Sequence, residues 1–408
     1  MADGQTFVIV GASLAGAKAA QTLRDDGFTG RVVLVGDEPV RPYERPPLSK
    51  DYLRGEVDFD KAAVHPDGFY AENDIELLTS TTVTSIDPAA RQVHLDPGAI
   101  LPYDQLLLTT GASVRRSAVS GSELDGIHYL RSLASCDILR DGLARATKVV
   151  IVGAGWIGCE VAASARTLGH QVALIEAAEV PLQRVLGTEV GTMFRDLHAR
   201  HDVELHMGVG VSAFGGDKVV EEVVLADGSR VSGDLFVVAV GVTPRTELAD
   251  QAGLKLDNGV VTDEHLATSV PGIWAAGDVA NAYHPLFGTS IRLEHWSAAL
   301  NQGPVAAKNM LGQNVSYQKV PYFFSDQYDL GMEYSGFAPT WDQIVYRGDR
   351  EKNEVIVFWL DHERVVAGMN VNIWDVNDAI AALIRSKLVI DPALLADPSV
   401  DLGSLAGS

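Results

Sequence analysis

The chain lays out one βαβ plan twice, and this duplication restricts its fold more than any other feature. Residues 7–38 run from Phe7-Val8-Ile9-Val10 through a turn bounded by Gly11 and Gly16 into an alanine-rich segment closed by Gly27. A second apolar run then ends in Asp37 and Glu38. Residues 149–176 repeat the order: Val149-Val150-Ile151-Val152, a turn from Gly153 to Gly158, an amphipathic stretch closed by Gly169, and an apolar run ending in Glu176. Short β-branched runs read as buried parallel strands, and the periodic segments between them as helices laid across the sheet. The echo continues. Residues 91–112 and 221–244 each place strand-like runs around a turn, Asp96-Pro97-Gly98 and Asp227-Gly228, and reach Gly111 and Gly241.

Two copies of one plan predict two dinucleotide-binding domains. Residues 255–280 add short strands ending at Ile273–Ala276, and residues 295–312 read as a helix. From about Pro321 the texture turns to aromatic, alternating runs, then a helix near Val376–Ile384. That tail reads as a separate α+β domain, with a loosely held end over the last dozen residues, from Asp397. The expected division is 1–112 with 242–316, then 113–241, then 317–408.

The second glycine cluster gives the clearer chemical signal. Gly153, Gly155 and Gly158 form G-x-G-x-x-G between a strand and a helix. The first permits the tight turn, the second lets backbone approach a pyrophosphate, and the third lets helix and strand pack closely. The helix N-terminus offers that pyrophosphate free N–H groups and partial positive charge. Eighteen residues past Gly158, Glu176 is placed to accept from ribose hydroxyls and to repel a 2′-phosphate. No basic residue follows until Arg184, so NADH is expected over NADPH. The first cluster departs from the pattern, with Ser13 at the middle position; Asp37 and Glu38 follow at the ribose distance. Two nucleotide sites in one chain point to a hydride or electron relay between a bound flavin and a diffusible nicotinamide.

Composition narrows the classes. A formal charge of −22 repels nucleic acid and anionic membrane. Two cysteines, Cys136 and Cys159, form no CxxC and no metal framework. The start of the chain lacks a basic and apolar leader pattern, and no uncharged apolar run reaches 18 residues, so a cytoplasmic protein is expected.

At Arg45-Pro46-Pro47-Leu48-Ser49-Lys50 the sequence becomes specific. With Gly11–Gly16, Thr109–Ala112, Gly153–Gly158, Ala276-Gly277-Asp278 and Glu294-His295-Trp296, it resembles the FAD-dependent, NADH-using ferredoxin reductases that serve oxygenases. The resemblance runs nearly end to end. It implies the glutathione-reductase type of α/β architecture, with two Rossmann-like domains and a C-terminal α+β domain. It also implies tightly bound FAD, NADH as diffusible donor, and an iron–sulfur carrier as partner, in a monomer or homodimer.

By the same resemblance, Gly11, Ser13, Ala15 and Gly16 would hold the FAD pyrophosphate, and Asp37 or Glu38 the adenosine ribose. Arg45 and Arg131 are expected near phosphate, Val83 near adenine, Thr110 and Gly111 along the cofactor. Gly277 and Asp278 would meet the ribityl chain and Trp296 the ring. Gly153, Gly155, Ile157, Gly158, Glu176, Arg184 and Gly241 would form the NAD site. Lys50 would lie near flavin N5, paired with Glu160. Trp156 is either a mobile aromatic over the nicotinamide pocket or a packing residue between domains. His284 and His295 read as structural or flavin-adjacent. Arg292, Lys308 and Lys319 are candidates for carrier docking.

Two other classes share the fold. NADH oxidases and peroxidases place a redox cysteine in the segment matching Pro46–Lys50, which this chain lacks. A binding flavoprotein of the apoptosis-inducing-factor type would differ by a long-lived reduced flavin and slow delivery to carriers.

Overall fold

The computed structural model describes residues 4–407. Each glycine cluster joins the central strand of a five-stranded parallel sheet to a helix. In the first sheet Thr6–Val10 lies at the centre, between Arg31–Val35 and Gln105–Leu108, with Ile75–Leu78 and Ile273–Ala275 at the edges. The last of these comes from far along the chain, so the segment after the second unit returns to complete the first sheet. In the second sheet Lys148–Val152 is central, flanked by Gln171–Glu176 and Leu235–Val238, with Glu204–Met207 and Ile127–His128 outermost. The central strands are buried along almost their whole length, as strands covered on both faces must be.

A parallel sheet opens its ligand crevice where the strand order reverses, beyond the carboxyl ends of the strands. Here both central strands run into the glycine turns, and the helices Leu14–Asp25 and Trp156–Thr167 begin there. The first helix packs against Trp296–Met310 so closely that a Cβ on Gly303 would fall 2.2 Å from the Ala15 carbonyl oxygen. The second packs against Tyr322–Gln327 of the C-terminal domain, with Trp156 edge-on to Phe323 at 4.8 Å.

The C-terminal domain is a five-stranded antiparallel sheet in the order Tyr322–Gln327, Leu330–Gly336, Arg364–Val371, Glu354–Asp361, Gln343–Asp349. The helix Asn377–Ser386 buries Ile380, Leu383 and Ile384 on it. The chain end is not loose as the sequence suggested. Leu395 and Leu402 are buried in the same core, and the Arg347 guanidinium donates to the carbonyls of Asp397, Pro398 and Val400. Among the described residues no helix is long and apolar enough to cross a membrane.

Candidate functional site

Both glycine turns open into one cavity of about 860 Å³, near the top of the range usual for ligand clefts, about 300–1,000 Å³. Ser13 and Ala15 border it from one side, Gly153, Gly155 and Trp156 from the other, and Lys50, Asp278 and Trp296 lie between. The glycines divide into two kinds. A Cβ on Gly11 would meet the Thr109 carbonyl oxygen at 2.1 Å, and on Gly16 the Gly11 oxygen at 2.2 Å. Gly153 and Gly158 are filled by backbone in the same way. A Cβ on Gly155 or Gly241, by contrast, would meet nothing within 4 Å. These two leave room that faces the cavity.

Both helices enter that room without neutralising their own dipoles. Ser13 and Gly155 are the N-caps, neither makes a side-chain cap bond, and neither first turn holds a carboxylate. The N-terminal N–H groups therefore remain for an anion.

The cavity's own charge also differs from that of the molecule. Arg45, Lys50, Arg131, Arg184 and Arg292 line it against Glu160, Glu176, Asp278 and Glu294, five cations to four carboxylates, in a chain of net charge −22. Local balance, not net charge, decides what enters a cleft.

Lys50 and Glu160 come together although 110 positions separate them. Nζ lies 2.8 Å from Oε2, with the side chains 9% and 5% exposed. Ser49 Oγ donates to the same carboxylate, and Ser325 Oγ reaches its other oxygen at 2.7 Å. The pair is thus held by the Pro46–Ser49 turn, the second nucleotide helix and the C-terminal sheet at once. Removing either partner of such a pair strands a buried charge and is costly. Phe324 lies 5.6 Å from the ammonium.

Arg131 donates to Asp278 at 2.6 Å and to the Ala112 carbonyl at 3.0 Å. Burial outweighs the neighbouring carboxylate and lowers the pKa of its guanidinium. Glu176 faces the cavity but already accepts from the backbone N–H of Ala154 at 2.7 Å and of Ala178 at 3.0 Å. Arg184 and Thr110, Gly111, Ile157, Gly277 and Trp296 also border the cavity.

Six expected residues lie outside its lining. Asp37 pairs with Arg245 at 3.2 Å, Glu38 accepts from Tyr43 at 2.7 Å, and Val83 sits in the small antiparallel sheet Thr82–Asp87, Gln92–Asp96, Ile100–Pro102. Gly11, Gly16 and Gly158 serve close backbone packing instead. Arg292, expected on the surface, is walled in: its side chain is 11% exposed and bonds Glu294 at 2.6 Å.

Several lining groups were not singled out by the sequence. Phe323 stacks on Tyr334 and carries His295 at 4.4 Å. Desolvation pulls the His295 ring down to about 4, so it is neutral at physiological pH. Ser49 lies inside the Arg45–Lys50 motif but was given no role there, and Ser325, which completes the Glu160 carboxylate from behind the wall, carries no motif.

The wall of the cavity also contains buried polar atoms without a partner. Trp156 Nε1, Arg292 Nε, His295 Nδ1 and Trp296 Nε1 are buried in its wall with no hydrogen-bond partner among the described residues. Buried donors are almost always satisfied in a folded protein. Open glycine floors and two free helix N-termini fit a large ligand carrying pyrophosphate. Neither cysteine competes for redox chemistry: both are buried, and desolvation pushes the Cys136 thiol up to about 12 and the Cys159 thiol higher still.

Comparison with known proteins gives these features a family. Residues 5–303 match the pyridine nucleotide-disulphide oxidoreductase family, and residues 322–406 match the reductase C-terminal family. The chain is 38% identical over 404 residues to the anthranilate 1,2-dioxygenase system ferredoxin–NAD(+) reductase component of Burkholderia cepacia, covering 97% of this chain and 98% of that one. It is 36% identical to putidaredoxin reductase of Pseudomonas putida, covering 98% and 97%. The crystal structure of the covalent putidaredoxin reductase–putidaredoxin complex superposes with a TM-score of 0.95 at 35% identity, over 99% of this chain and 98% of that one. The duplicated sheets, the shared cavity and the appended domain thus have one common explanation: the chain belongs to the pyridine nucleotide-disulphide oxidoreductases, with a reductase C-terminal domain.

Proposed function

We propose that the protein is an NADH-dependent FAD reductase of the cytoplasm that hands electrons one at a time to a ferredoxin-type iron–sulfur carrier serving an oxygenase. The observation that carries this reading is the meeting of both helix N-termini and the buried Lys50–Glu160 pair in one cavity. FAD, when bound, supplies the chemistry: it takes a hydride from NADH and gives the electrons up singly.

The rest is the work of this chain. The turn Gly11–Gly16 and the first helix would hold the FAD pyrophosphate, with Arg131 and Asp278 fixing the middle of the molecule. Gly155 and the second helix would hold the NADH pyrophosphate, with Glu176 at its ribose. Lys50, clamped by Glu160, presents a fixed cation where negative charge accumulates on reduction, and a preoriented charge costs no reorganisation at that moment. Trp156, Phe323 and Phe324 wall off water. Lys308 and Lys319, on and beside the helix Trp296–Met310, are left as docking cations; the second bonds Asn301 at 3.0 Å.

A thiol-based oxidase or disulfide reductase is disfavoured by two buried cysteines with raised pKa. The test is anaerobic stopped-flow of the purified holoenzyme with NADH, followed by an oxidised two-iron ferredoxin. Rapid bleaching at the flavin band and rapid recovery on adding the ferredoxin are expected. A flavin reduced by NADH that no ferredoxin or rubredoxin reoxidises would overturn the carrier assignment.

A further inference from the structure

One wall of the second nucleotide unit is a short turn set apart from the helix it begins. The helix Gln183–Arg200 is broken at Gly187, whose φ of +81° and ψ of 169° belong to a region that essentially only glycine occupies. Ahead of the break, Leu182 caps the turn with φ +59°, a left-handed conformation that persists in a residue with a Cβ only when its surroundings enforce it. Between these two points Leu186 is buried, as is Leu182 itself, whereas Arg184 and Val185 are exposed and line the cavity.

A single helical turn does not hold its shape in water, because fixing it costs more chain entropy than its few hydrogen bonds return. This one is pinned from outside at both ends. At the front, the Leu182 N–H donates to the carbonyl of Ala154, inside the Gly153–Gly158 turn, at 3.0 Å. At the back, the Leu186 carbonyl accepts from Nε1 of Trp359 at 3.2 Å. Trp359 is fully buried on the strand Glu354–Asp361 of the C-terminal sheet. A helix end leaves carbonyls short of donors, and here the donor comes from another domain. A second tryptophan fills the notch at the break. A Cβ on Gly187 would fall 2.8 Å from ring carbon Cζ2 of Trp341, which is half-buried just ahead of the strand Gln343–Asp349. Across the exposed side of the same junction, Arg350 reaches Glu189 at 3.5 Å.

We propose that Trp359 and Trp341 are positioning residues for NADH: by holding the break at Gly187 they set where the turn places Arg184 and Val185 against the nucleotide. Neither tryptophan lines the cavity. A guanidinium is a planar cation suited to phosphate and to stacking on a base, and Val185 belongs to the apolar rim, so a shift of the turn changes both contacts together. The C-terminal domain thus contributes to nucleotide affinity through the backbone of a neighbouring domain. The proposal rests on NADH occupying the Gly155 side of the cavity.

The test uses the flavin-loaded protein, with NAD+ affinity by titration calorimetry as one readout and the split between KM and kcat for NADH, with ferricyanide as acceptor, as the other. Trp359→Phe keeps a ring and deletes the N–H; it should raise the Kd of NAD+ about fivefold, the worth of one net hydrogen bond. Trp341→Ala empties the notch and should raise it about threefold. In both variants KM should rise with Kd while kcat holds. The deciding background is Arg184→Ala with Val185→Ala, which keeps the turn and strips the side chains it presents. There both tryptophan effects should vanish, since changes that act through the same groups are not additive. Undiminished effects in that background would overturn the proposal. So would wild-type affinity in both tryptophan variants while the background itself binds NAD+ weakly. If the background binds NAD+ as the wild type does, the nucleotide does not rest on this turn, and the placement of NADH fails together with the proposal. Should Trp359→Phe not fold, the half-buried Trp341→Ala decides alone.

Discussion

The two nucleotide units share a sheet order, a glycine turn and a 12-residue helix, yet they differ in access. In the first, Leu14, Ala15, Gly16 and Ala17 are all buried, and Gly303 of a later helix is pressed against the Ala15 carbonyl. In the second, Gly155 is exposed, Trp156 is half-buried and Ile157 is 44% exposed. Val185 and Val240 extend that open apolar rim. One βαβ design has thus been closed by a third segment and the other left ajar. A closed site suits a resident cofactor, and an open one suits a ligand that arrives and leaves on every turnover.

The sharpest way to break this comparison is one added methyl in each turn. Gly11 has φ +118° and its Cβ would sit 2.1 Å from the Thr109 oxygen, whereas Gly155 has φ −76° and open space. Gly11→Ala should cost about 3 kcal/mol or more, combining left-handed strain with overpacking, and yield protein with little flavin. Gly155→Ala should keep its flavin and melting temperature while raising the KM for NADH. Equal loss of flavin in both variants would show that access does not separate the units.

Acid sharpens the comparison by a different route. His295 caps the helix that closes the first unit, and His198 lies in the helix Gln183–Arg200 beside the second sheet; burial holds each near 4. The unfolded chain titrates its histidines near 6.5, so between about pH 6.5 and 4 it binds protons that the native state refuses. Stability present above pH 6.5 is therefore lost as pH falls through that window, by about 1.4 kcal/mol per pH unit for each such ring. Melting temperature against pH should show the fall. His198→Gln should flatten it, and a curve unchanged by that substitution would mean the ring is not neutral in the native protein.

These contrasts also show what the sequence could convey. The βαβ repeat was legible because strand, turn and helix follow one another within about 30 residues and each leaves a periodic or glycine signature. Lys50 and Glu160 were paired only through resemblance, since nothing local links them. The Ser325 contact to Glu160 was invisible: Ser325 carries no motif, and a buried serine reads like an exposed one until the sheet is placed. Arg292 was misplaced for the same reason, because nearness to Trp296 in the chain does not say which side of the wall a side chain takes. The docked tail depends on Arg347, about 50 residues upstream.

A smaller effect tests the open unit's discrimination. Glu176 is already held by the Ala154 and Ala178 N–H groups, so its carboxylate is fixed at the rim where a ribose would rest. Glu176→Arg removes the repulsion toward a 2′-phosphate and supplies a cation beside Arg184. The preference for NADH over NADPH, taken as a ratio of kcat/KM, should fall about tenfold or more, about 1.4 kcal/mol. An unchanged ratio would remove Glu176 from the nucleotide site.

The smallest effect concerns the surface beyond the closed unit. Lys308 is half-buried in the last turn of Trp296–Met310, and Lys319 is exposed beside it, in a molecule otherwise strongly acidic. Rim charges act mainly on association rate and salt dependence. The double variant Lys308→Glu, Lys319→Glu should slow reduction of an acidic two-iron ferredoxin several-fold at low salt, with the gap closing as ionic strength shortens the Debye length to about 8 Å. NADH-to-ferricyanide turnover should not change, because neither lysine borders the cavity. If both activities fall together, the substitutions have disturbed the helix that closes the first unit, and the two lysines belong to its packing rather than to a docking face.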